Sequence, residues 1–497
     1  MTTTRTVNTF LSKSRFMLGL QCPKALWLNN YQPELKDEVS DSQDAVFQSG
    51  SDVGVLARDI FPGGVEIPYD GLTTTEQLAR TRQLLDDGVT TLYEAAFSHN
   101  GVFVKVDLLH KGREGWELHE VKGSTGMKRV YLDDITVQYN VVTGAGVPLR
   151  YAGLVHVNNQ YVRQGDIDVH QLFTKQDLTE NVIDRQDEVR DRVAILQDML
   201  TDEIPNVVIG PHCYNPYGCP FQGHCWAHVP SPSVFDLRSY GKPDPFSFYE
   251  EGLVRYTELP LDRLGWRQRQ QVEAHLNQSQ TVDNVAVQKF LKTLTYPLAF
   301  LDFETTYMTP VPLFNGTRPY QQVPFQYSLH IIREDGGEVE HHAWLTAADE
   351  DNPSAGLLTS LLAALPEGGA IITWNKVFES HILGEMGERF RKLASQVKEV
   401  RERLVDLMVP FRNRDVYDWQ MYGSASLKSV LPALIPELSY DGLEIADGGA
   451  AASAWLRMRE TWDLAEREAI SRKLLEYCHL DTLAMVRILE WLRERVG

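Results

Sequence analysis

The sequence predicts a two-domain α/β protein, and three features support this prediction. The chain has 497 residues, more than one average hydrophobic core accommodates, so at least two domains are expected. Short apolar strand patterns are interspersed with amphipathic helix patterns in both halves. The halves are separated by two breaker stretches, Val229-Pro-Ser-Pro-Ser233 and Gly241-Lys-Pro-Asp-Pro245. We therefore predict domains at residues 1–230 and 293–497, joined by a linker and helical segment at 231–292.

The composition is that of a soluble globular protein, with 43% hydrophobic and 23% charged residues. No apolar run approaches the length of a membrane span, and the start of the chain lacks a signal pattern. We therefore expect a cytoplasmic protein without a membrane partner. The net charge of −20 argues against a generally basic nucleic-acid coat protein. It leaves nucleic acid open as a substrate, because metal ions and a local basic groove can bind phosphates.

Four of the five cysteines form a pattern in the first half. Cys22 precedes a proline in a helix predicted at Leu11–Leu28, with Ser12 as N-cap. Cys213, Cys219 and Cys225 follow the spacing C-x5-C-x5-C in a loop rich in proline and glycine. Four thiolates suit either zinc or a [4Fe–4S] cluster. Zinc sites more often contain cysteine pairs two residues apart, and no such pair is present here, which favours an iron–sulfur cluster. The alternative is that the four cysteines are unrelated buried residues.

A predicted hairpin between these cysteines carries charged side chains at its strand ends. Its strands are Val102–Leu109, which Asp107 closes, and Trp116–Lys122. Glu120 and Lys122 share one face of the second strand. Two carboxylates beside an ammonium suit metal-dependent hydrolysis, because a metal acidifies water and the ammonium stabilises developing charge. A surface salt bridge is the alternative.

The stretch Pro297–Thr305 in the second half reads as a buried strand that ends in two acidic residues. Alternate residues of a strand share a face, so Asp302 and Glu304 point the same way. Hard divalent cations such as Mg²⁺ bind such oxygens. The pair is thus half of a two-metal phosphodiesterase site, and a solvated strand end is the alternative.

Two later segments add polar side chains at defined helix positions. Glu379 falls in the first turn of a helix that follows a predicted strand, Ala370–Trp374, where the helix dipole stabilises a carboxylate. Tyr477 and Asp481 are four residues apart on a long helix predicted at Arg472–Val496, so they share one face. Further strands are predicted at Gln322–Glu334 and Glu338–Leu345, and further helices at Tyr131–Val142 and Pro353–Leu365.

The first half, roughly residues 8 to 230, resembles RecB-type PD-(D/E)xK nucleases with an iron–sulfur staple, including CRISPR-associated RecB-like and AddB-type nuclease domains. The matching residues, in order, are Cys22, Asp107, Glu120-Val-Lys122, Gln138, Cys213, Cys219 and Cys225. The resemblance implies a restriction-endonuclease-like fold. It further implies one [4Fe–4S] cluster on the four cysteines, Mg²⁺ or Mn²⁺ on Asp107 and Glu120, and a catalytic Lys122.

The same resemblance implies a DNA-contacting helix that carries Gln138 and Tyr139. Here the tyrosine follows the glutamine directly, whereas relatives often have Gln-x-x-x-Tyr. Many relatives also carry an early metal-binding histidine, which the matching stretch Gln48–Ala57 lacks. Glu94 is expected to serve as a metal ligand instead.

The second half, about residues 296 to 497, resembles the DEDD exonucleases, which have an RNase H-like fold. Its three motifs are Asp302 with Glu304, then Asn375-x-x-Phe-Glu379, then Tyr477-x-x-x-Asp481. The resemblance implies that the four acidic residues bind two Mg²⁺ or Mn²⁺ ions and that Tyr477 positions the attacking water at a 3′ end. Glu379 stands where the family usually has Asp. The full arrangement also resembles a bacterial family of largely uncharacterised two-domain proteins.

These features together predict a metal-dependent nuclease, a 3′–5′ exonuclease on DNA with single-stranded ends, with a second RecB-like nuclease site. Two alternative hypotheses about the function remain. One is a degenerate nuclease that binds nucleic acid or a partner protein, favoured by the missing histidine and by Glu379. The other is an RNA-processing exonuclease stapled by zinc.

Overall fold

The structure, a computed structural model, describes residues 8–39, 50–238, 244–306, 309–349 and 352–496. The first part of the predicted second breaker, residues 241–243, and the start of the stretch that lacks the histidine, residues 48–49, lie outside this description. The chain forms two compact units: Met1–His228 with Thr309–Gln321, and Val229–Met308 with Gln322–Gly497. Both units combine helices with sheets, which confirms the α/β class. Among the described helices, none has both the length and the apolar composition that crossing a bilayer requires.

A seven-stranded sheet organises the first unit. The strands are Leu11–Ser12 (β1), Val65–Glu66 (β2), Thr91–His99 (β3), Val102–Lys111 (β4), Trp116–Lys122 (β5), Leu149–Val157 (β6) and Phe173–Asp177 (β7). Their order in the sheet is β2-β3-β4-β5-β6-β7, with β1 paired to β4. The sheet is mixed: β4 is antiparallel to both β3 and β5, whereas β5 and β6 run parallel.

Helices pack against this sheet and contribute to one large apolar core. The predicted helix at Leu11–Leu28 is two helices, because Pro23 lacks an N–H and occupies the first position of the second one. Ser12 is the N-cap of the first helix, as predicted, and accepts the Arg15 N–H. The helices of this unit are Lys13–Gln21, Pro23–Tyr31, Thr74–Asp86, Arg129–Gly144, Val169–Leu172, Thr179–Ile183, Gln186–Met199 and Gln222–Trp226, and residues 50–57 are also helical.

A segment from the second half of the sequence, Thr309–Gln321, belongs to the first unit. The Arg163 guanidinium donates to the carbonyl oxygens of Pro312 and Leu313 at 3.1 and 3.0 Å. Tyr320 packs against a second apolar cluster of this unit. The prolines of this segment, Pro310, Pro312 and Pro319, indicate irregular structure but not the unit to which the segment belongs.

The second unit is built on a five-stranded sheet. Its strands are Leu298–Thr305 (β9), Pro324–Ile332 (β10), Val339–Leu345 (β11), Ala370–Thr373 (β12) and Leu404–Asp406 (β13), and a separate pair is formed by Gln280–Val282 (β8) and Val416–Asp418 (β14). The order in the sheet is β11-β10-β9-β12-β13. The central strand, β9, is antiparallel to β10 and parallel to β12.

The long C-terminal helix, Leu464–Val496, packs across β9 and β10. It begins at Leu464 rather than at the predicted Arg472. The segment predicted as linker and helices, residues 231–292, belongs to this unit. The other helices are Pro245–Glu250, Trp266–Asn277, Asn284–Leu291, Ser354–Ala364, Lys376–Arg389, Ala394–Glu402, Val409–Arg412, Leu427–Leu434 and Gly448–Glu460.

Alternation along β9 separates two cores. Leu298 and Phe300 pack into the apolar cluster that contains the C-terminal helix. Leu301 and Phe303 face the opposite side, against the helices Ser354–Ala364 and Lys376–Arg389. The side chain of Asp302 therefore projects toward the C-terminal helix.

Candidate metal centres

The acidic residues predicted in the second half line one pocket. Ligand atoms of Asp302, Glu304 and Cys478 lie within 4.8 Å of one another. The surrounding pocket measures about 460 Å³ and is lined by, among others, Asp302, Glu304, Glu379, Tyr477 and Asp481. The structure thus brings together all five residues that three separate motifs had singled out.

Secondary structure sets the position of each of these side chains. Asp302 lies opposite Ser328 in the β9–β10 ladder, in a region where both strands are buried. Glu379 lies in the first turn of the helix Lys376–Arg389, as predicted. Tyr477 and Asp481 occupy one face of the C-terminal helix and are both buried.

The pocket concentrates negative charge away from water. Burial raises the pKa of Glu304 to about 8, and Asp481 adds to the effect. Burial likewise raises the pKa of Glu379 to about 8 and that of Asp481 to about 6. The pKa of Asp302 rises well above its ordinary value, because of burial and because Asp481, Glu304 and Glu379 are close. Glu304 and Glu379 therefore favour their protonated forms at neutral pH unless a cation stabilises the carboxylates.

A divalent metal ion fits this set of donors. Glu379 is only 2% exposed, and its Oε2 has no hydrogen-bond partner among the described residues. Hard cations such as Mg²⁺ and Mn²⁺ prefer carboxylate oxygens and retain some waters. The residues that would hold such ions are Asp302, Glu304, Glu379 and Asp481.

Three further residues lie next to the side chains that line this pocket and were not predicted as site residues. Tyr440 donates its hydroxyl to Asp481 Oδ1 at 2.5 Å. The Lys428 ammonium lies 5.3 Å from the centre of the Tyr477 ring and lowers the pKa of Glu304 and Asp481. Cys478 is fully buried, and its Sγ lies 3.8 Å from Asp302 Oδ2. Of these three residues, only Cys478 lies inside one of the three sequence motifs, between Tyr477 and Asp481.

The helix Gly448–Glu460 begins close to the Glu304 carboxylate. A Cβ on Gly448 would lie 3.3 Å from Glu304 Oε2, a tight contact for a real side chain. The N-terminal end of this helix therefore approaches the carboxylates closely, and Gly448 and Gly449 line the pocket. A helix N-terminus carries partial positive charge, which favours anions nearby.

In the first unit, Glu120 and Asp134 are bound by two lysines and an amide. Glu120 accepts hydrogen bonds from Lys13 at 3.0 Å, Lys122 at 2.5 Å and Gln138 at 2.6 Å. Asp134 contacts the same three side chains, at 3.2, 2.9 and 2.9 Å. Sequence reasoning missed Lys13 and Asp134. The i, i+4 spacing of Asp134 and Gln138 is the one local signal.

One expectation about the remaining acidic residues of this unit is corrected. Asp107 does not close its strand, since β4 continues to Lys111. Its Oδ2 accepts the Val121 N–H at 2.7 Å. Glu94, which is expected as a metal ligand, lies inside β3, where it is left out of the ladder with a φ of 56°. Lys105 Nζ lies 3.6 Å from Glu94 Oε2.

Two ammonium groups offset much of the negative charge in this network. Burial, together with Asp107 and Asp134, raises the pKa of Glu120 to about 7. For Lys13 and Lys122, burial alone would lower the pKa, but the neighbouring carboxylates outweigh burial and raise it. A metal ion at Glu120 would have to displace one of these ammonium groups. In this arrangement the first unit does not fit Mg²⁺ or Mn²⁺ as the second unit does.

Gln138 and Tyr139, the predicted DNA contacts, lie on the helix Arg129–Gly144. Gln138 is fully buried, and its amide holds the carboxylates of Glu120 and Asp134. Tyr139 is partly buried against the main core. A role in binding DNA stays a prediction for both residues.

The four predicted cysteine ligands lie close together in the first unit. Cys22 caps the helix Pro23–Tyr31 and packs with Cys219 and Cys225 in one apolar cluster. The Gln21 amide binds the cysteine loop through the carbonyl oxygens of His212 and Tyr217, at 2.8 and 2.7 Å.

The surroundings of these thiols raise their pKa values, so a nearby positive charge is needed for them to ionise. Burial raises the pKa of Cys219 to about 11, and the proximity of Cys22, Cys213 and Cys225 adds to this. Burial raises the pKa of Cys22 too, while the N–H groups of the following helical turn act in the opposite direction. A metal or cluster would supply the missing charge, so the cysteines fit a four-thiolate centre.

Comparison with known proteins gives one match. A family model described as a domain of unknown function (DUF2779) matches residues 299–426. That range contains Asp302, Glu304 and Glu379 and ends before Tyr440, Tyr477 and Asp481. Neither the curated proteins nor the solved structures contain a match.

Proposed function

We propose that the second unit is a metal-dependent nuclease, a 3′–5′ exonuclease that hydrolyses phosphodiester bonds of DNA. The observation that carries the proposal is the pocket in which Asp302, Glu304, Glu379 and Asp481 converge, three of them buried. The sheet order, with β9 at its centre between an antiparallel and a parallel neighbour, supports an RNase H-like fold for this unit.

Each residue of the pocket has a role in this reaction. The four carboxylates would hold Mg²⁺ or Mn²⁺, ions that acidify the attacking water and neutralise phosphate charge when bound. Tyr477, at the pocket wall, orients the water. Tyr440 fixes Asp481 through its short hydrogen bond, and the Lys428 ammonium adds positive charge for the scissile phosphate.

The first unit supports a different role on the same substrate. We propose a PD-(D/E)xK-like fold for it, and DNA as its ligand, on the resemblance of its motifs. Because Lys13, Lys122 and Gln138 already bind Glu120, we assign strand binding to this unit and derive no hydrolysis through a metal there. A second, RecB-like nuclease activity would first require Lys13 to leave Glu120.

An iron–sulfur cluster is the proposed staple of the first unit. The spacing C-x5-C-x5-C contains no cysteine pair two residues apart, as zinc sites more often do, which favours a [4Fe–4S] cluster. The purified protein should then be brown, and a colourless protein with one equivalent of zinc would contradict this assignment.

The experiment that tests the proposed function uses the full-length protein and end-labelled oligonucleotides. Matched single-stranded DNA and RNA carry a 5′ label and are incubated with Mn²⁺, Mg²⁺ or EDTA. We expect DNA to shorten stepwise from its 3′ end with either metal and to stay intact in EDTA. Equal degradation of a substrate with a blocked 3′ end would show that the polarity is wrong. Preferential degradation of RNA would favour the RNA-processing alternative.

A further inference from the structure

Three histidines converge in the second unit, outside the residues assigned above. His330 lies on β10, His341 lies directly opposite it on β11, and His479 lies on the C-terminal helix. Metal-ligating atoms of the three side chains lie within 4.8 Å of one another. The ring centres are 4.5, 4.8 and 4.4 Å apart.

Two hydroxyl groups determine which ring nitrogens carry protons. The Thr482 hydroxyl lies 3.1 Å from the His479 carbonyl oxygen, which can only accept, so Thr482 donates there. Its oxygen then accepts from His330 Nδ1–H at 2.8 Å and from the Ser328 hydroxyl at 2.7 Å. Ser328 in turn accepts from His341 Nε2–H at 3.0 Å.

This chain of hydrogen bonds leaves an unprotonated nitrogen on two of the rings, Nε2 of His330 and Nδ1 of His341. Metal-binding histidines usually donate their other N–H to such a partner, which fixes the tautomer and the ring orientation.

We propose that His330, His341 and His479 form a binding site for a divalent transition-metal ion, with zinc as the expected occupant. Three imidazoles suit zinc with a fourth position left for water. The site is chemically distinct from the carboxylate pocket, because Mg²⁺ prefers oxygen ligands. His330 is buried while His341 is exposed, so an ion can enter from the β11 side.

An ion bound here would restrain the element that carries part of the carboxylate pocket. His479 lies between Tyr477 and Asp481 on the C-terminal helix. The other two ligands lie on neighbouring strands of one hairpin. Occupancy would therefore fix the helix against β10 and β11, which links zinc binding to the local stability of this helix.

The test compares zinc binding by three full-length proteins with the cysteine centre intact. They are the wild type, His341→Ala and the control His342→Ala, which changes the next residue on the same exposed strand. His342 makes a distant ion pair with Glu340 at 3.8 Å and points to the other face of β11. Zinc is titrated against a colorimetric chelator, and thermal unfolding is followed with and without zinc.

We expect His341→Ala to lose one equivalent of bound zinc relative to the wild type, or to bind it at least about tenfold more weakly. Zinc should raise the melting temperature of the wild type and of His342→Ala but not of His341→Ala. Equal melting temperatures without zinc would show that the substitution leaves the fold intact. Equal zinc stoichiometry and affinity in all three proteins would overturn the proposal, whatever their nuclease activity.

Discussion

In metal-free protein, replacing Asp302 with Asn should stabilise the second unit at alkaline pH, although it removes a proposed metal ligand. Burial and neighbouring carboxylates raise the pKa of Glu304 and of Glu379 to about 8. The folded state therefore binds protons more tightly than the unfolded chain does. This contribution to stability is complete below about pH 4.5 and is lost as the pH rises through about 8.

The size of the effect follows from the distance between the charges. Ligand oxygens of Asp302 and Glu304 lie within 4.8 Å, where two full charges repel by about 3.5 kcal/mol at an effective dielectric constant of 20. Partial protonation reduces this, so we expect Asp302→Asn to add about 2 kcal/mol at pH 8.5. For a unit of this size that corresponds to about 4–8 °C in melting temperature.

The assay is thermal unfolding of the full-length protein in EDTA at pH 5 and pH 8.5. Asp302→Asn should unfold at higher temperature than the wild type at pH 8.5, and the gain should be smaller at pH 5. With Mn²⁺ present the order should reverse, because metal binding stabilises the wild type more. Asp262→Asn, a substitution at an exposed residue, serves as the control. A destabilised Asp302→Asn at pH 8.5, or an equal gain at both pH values, would refute the reasoning.

The remaining predictions concern three other residues. Tyr440→Phe removes the hydrogen bond to Asp481 and should lower kcat about tenfold, about the loss of one charge-assisted bond; an unchanged kcat would contradict its positioning role. Lys13→Ala should lower the free energy of unfolding by about 1–3 kcal/mol, which is less than the loss of a fully buried pair because the lysine is 22% exposed. In a Mn²⁺ titration, this variant should bind Mn²⁺ at Glu120 more tightly than the wild type does. Cys22→Ser should abolish the visible absorption and increase protease sensitivity, because a ligand closing so long a loop restrains the unfolded chain; a retained spectrum would exclude Cys22 as a ligand.

Local periodicity predicted the parts of the carboxylate pocket that depend on one element at a time. The alternation of Leu301, Asp302, Phe303 and Glu304 indicated which side chains share a face, and the structure confirms it. The start of the helix after β12 placed Glu379 in a first turn, which is also confirmed. Such predictions succeed because strand and helix periods act over a few residues.

Residues that reach a site from distant parts of the chain could not be predicted in this way. Lys13 meets Glu120 across more than a hundred positions, and Tyr440 reaches Asp481 from an irregular loop. The segment Thr309–Gln321 belongs to the first unit, and its proline-rich composition does not indicate this. Tertiary packing decides these contacts, and no spacing rule within one element records them.

The central claim is that the carboxylate pocket hydrolyses phosphodiester bonds, and one rate comparison tests it most directly. The measurement is the initial rate of nucleotide release from 5′-labelled single-stranded DNA at saturating Mn²⁺, for full-length wild type, Asp302→Asn and the control Asp262→Asn. We expect Asp302→Asn to lose activity by at least about 100-fold, while the control keeps the wild-type rate. The reason is that loss of a metal ligand costs more than loss of a residue that only hydrogen-bonds to a ligand, which costs about 10–100-fold. Wild-type release by Asp302→Asn, with the protein folded and the cysteine centre intact, would contradict the account and move the chemistry elsewhere in the chain.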